Sequence, residues 1–252
     1  MKQDIIRAAE ELPGKIGFYY KDLITGDEID YHGDWLFRPA SVIKLPMFAD
    51  IVRRVHEGEI SFRDKILIHD EEKIPGCGAV KYFRGDVELE LELLCKLMIT
   101  ISDNTATNVL IRYFGAEQLT EGFRKLGLEK STVRRRFYDW ELESRGIQNC
   151  LSPREMGWLM EEIYFGRLVN EEASEYMKQV LLEQQIEHKL ERLPEGMQAA
   201  HKTGEEDGTT NEVALVFAEH PFVFSFFSNE TDVRACNEFI RYAAWRMASA
   251  EN

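Results

Sequence analysis

Three short motifs carry the residue types of an acyl-transfer site: Ser41-Val42-Ile43-Lys44, Ser102-Asp103-Asn104 and Lys202-Thr203-Gly204. A serine hydroxyl is a weak nucleophile unless a neighbouring base takes its proton. Residues three apart share one helix face, so a helix that begins at Ser41 places the Lys44 amine beside the hydroxyl. We predict Ser41 as the nucleophile and Lys44 as its base, with the amine pKa lowered by burial and by nearby Lys202.

The second motif supplies a second hydroxyl and an amide. We expect Ser102 to pass a proton to the leaving group, Asn104 to orient a substrate amide, and Asp103 to brace the turn. Taken alone, the same three residues also fit a simple helix N-cap, which Ser, Asp and Asn all favour.

The third motif is predicted to end a strand. There, Lys202 offers a positive charge and Thr203 a hydroxyl, while Gly204 lets a substrate backbone approach the strand edge. The backbone N–H groups of Ser41 and Glu205 are the predicted pair of oxyanion-hole donors.

The hydrophobic pattern places strands at both ends of the chain and helices between them. We predict helices over residues 2–12, 41–56, 87–101, 105–114, 153–165, 171–185 and 232–248, the last capped by Thr231, and strands over residues 15–23, 28–31, 198–203, 212–218 and 222–227. The two ends then share one antiparallel sheet, which is an α+β (α/β) arrangement. Residues 1–35 and 195–252 are expected to form the sheet lobe and residues 36–194 a helical lobe, as one catalytic unit with its site between the lobes.

Composition narrows the possible partners. The chain has 252 residues and a net charge of −14, which argues against nucleic acid or an anionic membrane as a partner. No run approaches the roughly 18 apolar residues of a membrane span. Metal and nucleotide motifs are missing from the sequence, so we expect a small-molecule substrate and no cofactor or metal. The oligomeric state stays open.

The cysteines and the N-terminal segment bear on the compartment. Cys77, Cys95, Cys150 and Cys236 form no C-x-x-C pair, and residues 1–12 lack the apolar core of a signal peptide. Unpaired cysteines are common in reducing compartments. We expect a cytoplasmic protein, with a secreted mature domain that has lost its signal peptide as the alternative.

In the order and intervals of its motifs, the chain resembles the class A β-lactamases. The similarity extends to residues 92–108 around the S-D-N motif and to residues 152–156, and it covers roughly residues 1–250. The resemblance implies a two-lobe fold with a five-stranded antiparallel sheet flanked by helices, and an acyl-enzyme at Ser41. It also implies a disulfide between the positions of Phe48 and Cys95, which cannot form here.

A second departure concerns removal of the acyl group. The family's omega loop carries a Glu that activates the hydrolytic water. Counting from the flanking motifs places that Glu near residues 136–138, where this chain has Arg136, Phe137 and Tyr138. Glu141 is the candidate base and Glu143 the other carboxylate in reach; both are equally compatible with solvated loop charges.

These observations leave several activities open. The leading expectation is a serine β-lactamase-like hydrolase that acts on β-lactams or related amides and esters. The alternatives are a penicillin- or muropeptide-binding sensor that stays acylated, and a D-amino-acid peptidase or esterase; a glutaminase is a further option. The acidic run of residues 205–207 argues for a neutral or cationic substrate, because like charges repel the carboxylate of a penicillin.

Overall fold

A five-stranded antiparallel sheet forms the centre of the computed structural model, which describes residues 2–249. The strands are β1 (Lys15–Asp22), β2 (Glu28–Tyr31), β3 (Lys65–Ile68), β4 (Val87–Glu90), β5 (Ala199–Glu206), β6 (Thr209–Val216) and β7 (Phe222–Asn229). The sheet has the order β2-β1-β7-β6-β5, and β3 pairs with β4 in a separate ribbon. The predicted α+β fold, with one sheet built from both ends of the chain, is confirmed.

Helices cover both faces of this sheet. They are α1 (Lys2–Glu10), α2 (Lys44–His56), α3 (Leu91–Thr100), α4 (Asn104–Phe114), α5 (Ala116–Lys125), α6 (Trp140–Ser144), α7 (Pro153–Tyr164), α8 (Glu171–Leu182) and α9 (Val233–Ala248), with short 3-10 turns at Ala40–Ile43, Asp70–Glu72 and Val80–Tyr82. Because side chains alternate along a strand, neighbouring residues enter different cores. On β1, Phe18 packs in the core with α1 and α9, whereas Tyr19 joins the core of the helical part of the chain.

One predicted helix divides into a strand and a helix. Residues 87–101 were expected to be helical throughout, but Val87–Glu90 is β4 and the helix begins at Leu91. The sequence Val-Glu-Leu-Glu alternates apolar and acidic residues, which suits a strand, and it finds a partner in Lys65–Ile68. The sequence patterns also missed β3, α5 and α6.

Helix α5 contains Gly122, and glycine is a poor helix former. A β-carbon at this position would lie 2.1 Å from the carboxyl carbon of Asp50 on α2. Glycine therefore allows α5 to pack closely against α2, a contact that the local sequence does not reveal.

Two boundaries near the C-terminus also differ from expectation. Asp232, not Thr231, caps α9 by accepting the N–H of Ala235 at 3.1 Å. Strand β5 continues to Glu206, so the K-T-G motif lies inside the strand instead of at its end. The lobe boundaries at residues 35/36 and 194/195 stay a prediction.

Candidate active site

The predicted nucleophile lies in a 3-10 turn, Ala40–Ile43, and α2 begins only at Lys44. Side chains three residues apart eclipse one another in 3-10 geometry, and Lys44 Nζ lies 3.0 Å from Ser41 Oγ. The residue before the serine, Ala40, has a φ of 44°. A non-glycine residue in this left-handed region is strained, a feature that clusters at functional sites.

The Lys44 amine is fully buried and surrounded by oxygen atoms. It donates to Ser102 O at 2.7 Å, to Ser102 Oγ at 2.9 Å and to Asn104 Oδ1 at 2.9 Å. Burial, reinforced by the positive charge of Lys202, holds the pKa of Lys44 well below its usual range. A neutral amine has a lone pair that can accept the Ser41 proton.

A second buried amine reaches the same hydroxyl from the sheet. Lys202 Nζ donates to Ser102 Oγ at 3.2 Å and to Thr203 O at 2.8 Å. Burial lowers the pKa of Lys202 to about 7 against the opposing effect of the Glu212 carboxylate. Ser102 itself has a φ of 56°, so the hydroxyl that joins the two amines lies on a strained backbone.

Asp103 anchors the turn that carries Ser102 and Asn104. Its Oδ1 accepts the N–H of Ala106 at 2.9 Å, which caps α4. Its Oδ2 accepts the N–H groups of Ala79 at 2.6 Å and Val80 at 2.9 Å. One carboxylate thus fixes the S-D-N turn to the preceding loop.

The K-T-G strand lies directly against the nucleophile's turn. A β-carbon on Gly204 would lie 2.8 Å from Ser41 N and 2.9 Å from Val42 N. Glycine is therefore needed for the approach of two protein backbones, in addition to any approach by a substrate. The buried Thr203 hydroxyl lies beside the carboxylate of Glu212, its partner across strands β5 and β6. The oxyanion-hole role of the Glu205 N–H stays a prediction.

An open cleft of about 360 Å³ lies in front of Ser41. Asn104 and three aromatic side chains line it together with Ser41. Its charged lining consists of Arg38, Arg135, Glu143, Glu205, Glu206 and Asp207. Carboxylates therefore outnumber guanidinium groups in the cleft.

The structure does not bring the candidate base Glu141 into this cleft. Trp140 and Glu143 both line the cleft. The two residues are three apart on α6 and therefore lie on the same helix face. Glu141 lies about 100° around α6 from Trp140, and its side chain is exposed. Glu143 reaches the cleft but is ion-paired to Arg135 at 3.3 Å.

The side chain that faces Lys44 from the omega-like loop is Phe137. Lys44 Nζ lies 4.9 Å from the centre of the phenyl ring. Asn108 fixes the Phe137 backbone through two hydrogen bonds, accepting its N–H at 2.7 Å and donating to its carbonyl at 2.9 Å. The spacing of the flanking motifs places the family's water-activating Glu near residues 136–138, and in the structure Phe137 is the one of these that faces Lys44. The sequence alone does not indicate that Asn108 holds this residue in place.

The fold and the site define a serine hydrolase of the class A β-lactamase type. The sequence model of the β-lactamase enzyme family matches residues 1–246, and the chain belongs to this family. It is 25% identical over 240 residues to a β-lactamase from Rhodobacter capsulatus, an alignment that covers 92% of this chain and 81% of that protein.

Solved structures give the same result. A β-lactamase from Sphaerobacter thermophilus superposes with a TM-score of 0.86 at 28% identity, over 99% of this chain and 97% of that chain. PBP-A superposes with a TM-score of 0.88 at 26% identity, over 98% of this chain and 94% of that chain. A mutant of PBP-A was solved as an acyl-enzyme complex with penicillin G.

Neither the helices nor the side chains of the described chain indicate a membrane span or a metal site. None of the helices within residues 2–249 combines the length and the apolar character needed to cross a bilayer. The same residues contain no cluster of three or more His, Cys, Asp or Glu side chains suited to a metal ion.

Proposed function

We propose that this serine hydrolase forms an acyl-enzyme at Ser41 with penicillins and with related D-amino-acid peptides or esters, and that it releases the acyl group slowly. The observation that carries the proposal is the phenyl ring of Phe137 over Lys44. A phenyl ring cannot take a proton from water. Acylation, by contrast, needs only the Ser41, Lys44, Ser102 and Lys202 cluster.

Acylation of a β-lactam follows from the positions of these groups. Ser41 Oγ attacks the lactam carbonyl carbon while its proton passes to Lys44 Nζ, 3.0 Å away. The C–N bond breaks, and the nitrogen receives the proton of Ser102 Oγ. Lys44 then passes the proton that it took from Ser41 to Ser102 Oγ, 2.9 Å away, while Lys202 contacts the same oxygen. The opened lactam stays attached as a Ser41 ester. The N–H groups of Ser41 and Glu205 are assigned to the oxyanion.

Deacylation needs a base that activates a water molecule. In the cleft, the Glu143 carboxylate is paired to Arg135, and the Glu141 side chain is exposed. A long-lived ester therefore fits the described residues better than rapid turnover. The PBP-A mutant solved as an acyl-enzyme complex with penicillin G supports the same chemistry on a similar fold.

Intact-protein mass spectrometry tests the proposal directly. Incubation with penicillin G is expected to give a persistent mass gain on Ser41, with no more than slow turnover of a chromogenic cephalosporin. Ser41→Ala, the matched control, should show neither. Rapid turnover would contradict the slow release, and the absence of any adduct would point to a different substrate.

A gain-of-function variant tests the role assigned to the phenyl ring. In Phe137→Glu, a carboxylate beside the Ser41 ester is expected to accelerate deacylation by about 10² or more. Phe137→Gln is the control, because it has similar size and polarity but cannot act as a base. Equal deacylation rates in the two variants would show that the loss of the phenyl ring, not base catalysis by the new carboxylate, sets the rate.

A further inference from the structure

Strand β5 turns every second side chain toward the acylation cluster. Lys202 Nζ contacts Ser102 Oγ at 3.2 Å, and a β-carbon on Gly204 would lie 2.8 Å from Ser41 N. Because these two strand residues are two apart, the next residue on the same face is Glu206. Its side chain lines the cleft in front of Ser41.

The intervening residue, Glu205, has its carboxylate on the other face of the strand. It accepts a hydrogen bond from Asn237 Nδ2 of α9 at 3.1 Å and lies 3.6 Å from Lys189 Nζ. The charge of Glu205 is therefore compensated by its own neighbours. Of the three acids that follow the K-T-G motif, Glu206 and Asp207 remain available to a substrate.

The other charges of the cleft leave Glu206 without an ion pair. Glu143 and Arg135 are paired to each other at 3.3 Å. Arg38 donates to Thr209 Oγ1 at 3.3 Å, and Thr209 lies opposite Glu206 in the β5–β6 pairing. Although Arg38 is nearby, the Glu206 carboxylate makes no hydrogen bond and no ion pair within residues 2–249. Reduced access to solvent raises the pKa of Glu206, and the two guanidinium groups offset this only in part.

Aromatic side chains form the second part of the cleft that suits a cation. Trp140 is 66% exposed, and it lines the cleft together with Phe137 and Tyr138. The rings of Trp140 and Tyr138 meet edge to face, with their centroids 5.7 Å apart. The faces of aromatic rings attract cations, and quaternary ammonium groups in particular. The cleft thus offers a carboxylate from β5 and an indole ring from α6 to the same ligand.

The order of contacts along β5 assigns Glu206 to the acyl part of a substrate. Lys202 contacts Ser102, the donor assigned to the leaving nitrogen, and Gly204 adjoins Ser41, which attacks the carbonyl carbon. Glu206 lies two residues further in the same direction, about 7 Å along the strand. Strand β5 is an edge of the sheet. A substrate that pairs with this edge therefore brings the substituent of its acyl group toward Glu206.

We propose that Glu206 and Trp140 are specificity-determining residues that select substrates with a cationic group, an ammonium or a trimethylammonium, on the acyl part. The inference rests on the proposed acylation at Ser41 and names its substrate class. The preferred substrates are D-amino-acid peptides, esters or β-lactams whose acyl side chain carries a positive charge.

Two penicillins that differ only in charge test the inference. The acyl side chain of one ends in a trimethylammonium group, and that of the other ends in the uncharged tert-butyl isostere, so the shape is matched and the charge does not vary with pH. Intact-protein mass spectrometry gives the second-order rate constant of Ser41 acylation by each compound. We expect the wild type to favour the cation about tenfold. Glu206→Gln and Trp140→Leu should each lower this ratio about threefold or more.

The matched control is Glu219→Gln, which removes an exposed carboxylate from the turn after β6, at the other end of that strand from Glu206. It should leave the ratio unchanged. A wild-type ratio near one would overturn the inference, and so would an equal fall in Glu219→Gln, which would trace the preference to the net charge of −14. An unchanged ratio in Glu206→Gln or in Trp140→Leu would refute the role of that residue.

A binding measurement separates this inference from the proposed function. Ser41→Ala keeps the cleft but cannot be acylated, so isothermal titration calorimetry gives the dissociation constants of both compounds. If the wild type forms no adduct with either penicillin, the proposed acylation is wrong, and binding still decides the inference. Tighter binding of the cation that disappears when Glu206→Gln is added would support it. Equal dissociation constants for the two compounds would refute it.

Discussion

Two amines share one hydroxyl at the centre of the site. Lys44 Nζ and Lys202 Nζ lie 2.9 Å and 3.2 Å from Ser102 Oγ. Two buried like charges this close disfavour double protonation, and burial lowers the pKa of both amines. One amine can therefore be neutral and take the Ser41 proton while the other stays charged and donates.

The hydroxyl between the amines is open to a direct test. Ser102→Ala removes the donor assigned to the leaving nitrogen, and general acid catalysis of this kind contributes about 10² to 10⁴ in rate. We expect the acylation rate by a fluorescent penicillin to fall by at least about 10², with a nearly unchanged melting temperature. A fall of less than threefold would assign the proton transfer to another group.

Gly204 tests how closely the two backbones must approach. Gly204→Ala would force a methyl group to within 2.8 Å of Ser41 N, and displacing a catalytic group by about 1 Å can cost about 10² in rate. We expect that loss in stopped-flow acylation. The control is Gly26→Ala, at a φ of 77° with open space around it; it should lower stability through strain but leave acylation unchanged.

At the scale of elements, two asparagines hold the loop that carries Phe137. Asn149 Oδ1 accepts the N–H groups of Arg134 at 2.7 Å and Arg135 at 3.0 Å, close to the start of the loop. Asn108 on α4 binds the Phe137 backbone from the other side. The loop is thereby fixed against the same helix whose N-terminus carries Asn104.

Removal of one of these anchors should loosen the loop. Asn108→Ala leaves the N–H and the carbonyl of Phe137 without partners, at a cost of about 1–3 kcal/mol in the free energy of unfolding. Urea denaturation measures this loss. Asn108→Asp keeps an acceptor for the N–H and should fall between wild type and Asn108→Ala; equal stability of all three proteins would contradict the anchoring role.

At the scale of the whole molecule, the charge of the chain opposes an anionic substrate. The net charge is −14, and Glu206 and Asp207 line the cleft in front of Ser41. Salt screens repulsion between like charges. We expect acylation by anionic penicillins to accelerate several-fold between low and physiological ionic strength. A neutral ester substrate should show no such dependence; a fall in the penicillin rate with added salt would indicate attraction instead.

The fold was predictable wherever a pattern repeats within a few residues. Strand patterns at both chain ends led to the sheet, and helical periodicity led to most helices. The errors lie where a tertiary contact decides the structure. Val87–Glu90 is a strand because Lys65–Ile68 pairs with it. Helix α5 contains Gly122, a poor helix former, because Asp50 on α2 leaves no space for a side chain there. A cytoplasmic location stays a prediction from the cysteine pattern.

The sequence by itself determined which groups are available for acylation. The spacing of Ser41 and Lys44 is local, so a single helical turn suffices to place the amine beside the hydroxyl. Only the tertiary structure decided what faces that pair. A loop more than 90 residues away in sequence places Phe137 over Lys44, and the helix that follows it leaves Glu141 exposed. The reason is that the path of this loop depends on its hydrogen bonds to Asn108 on α4, not on its own residue pattern.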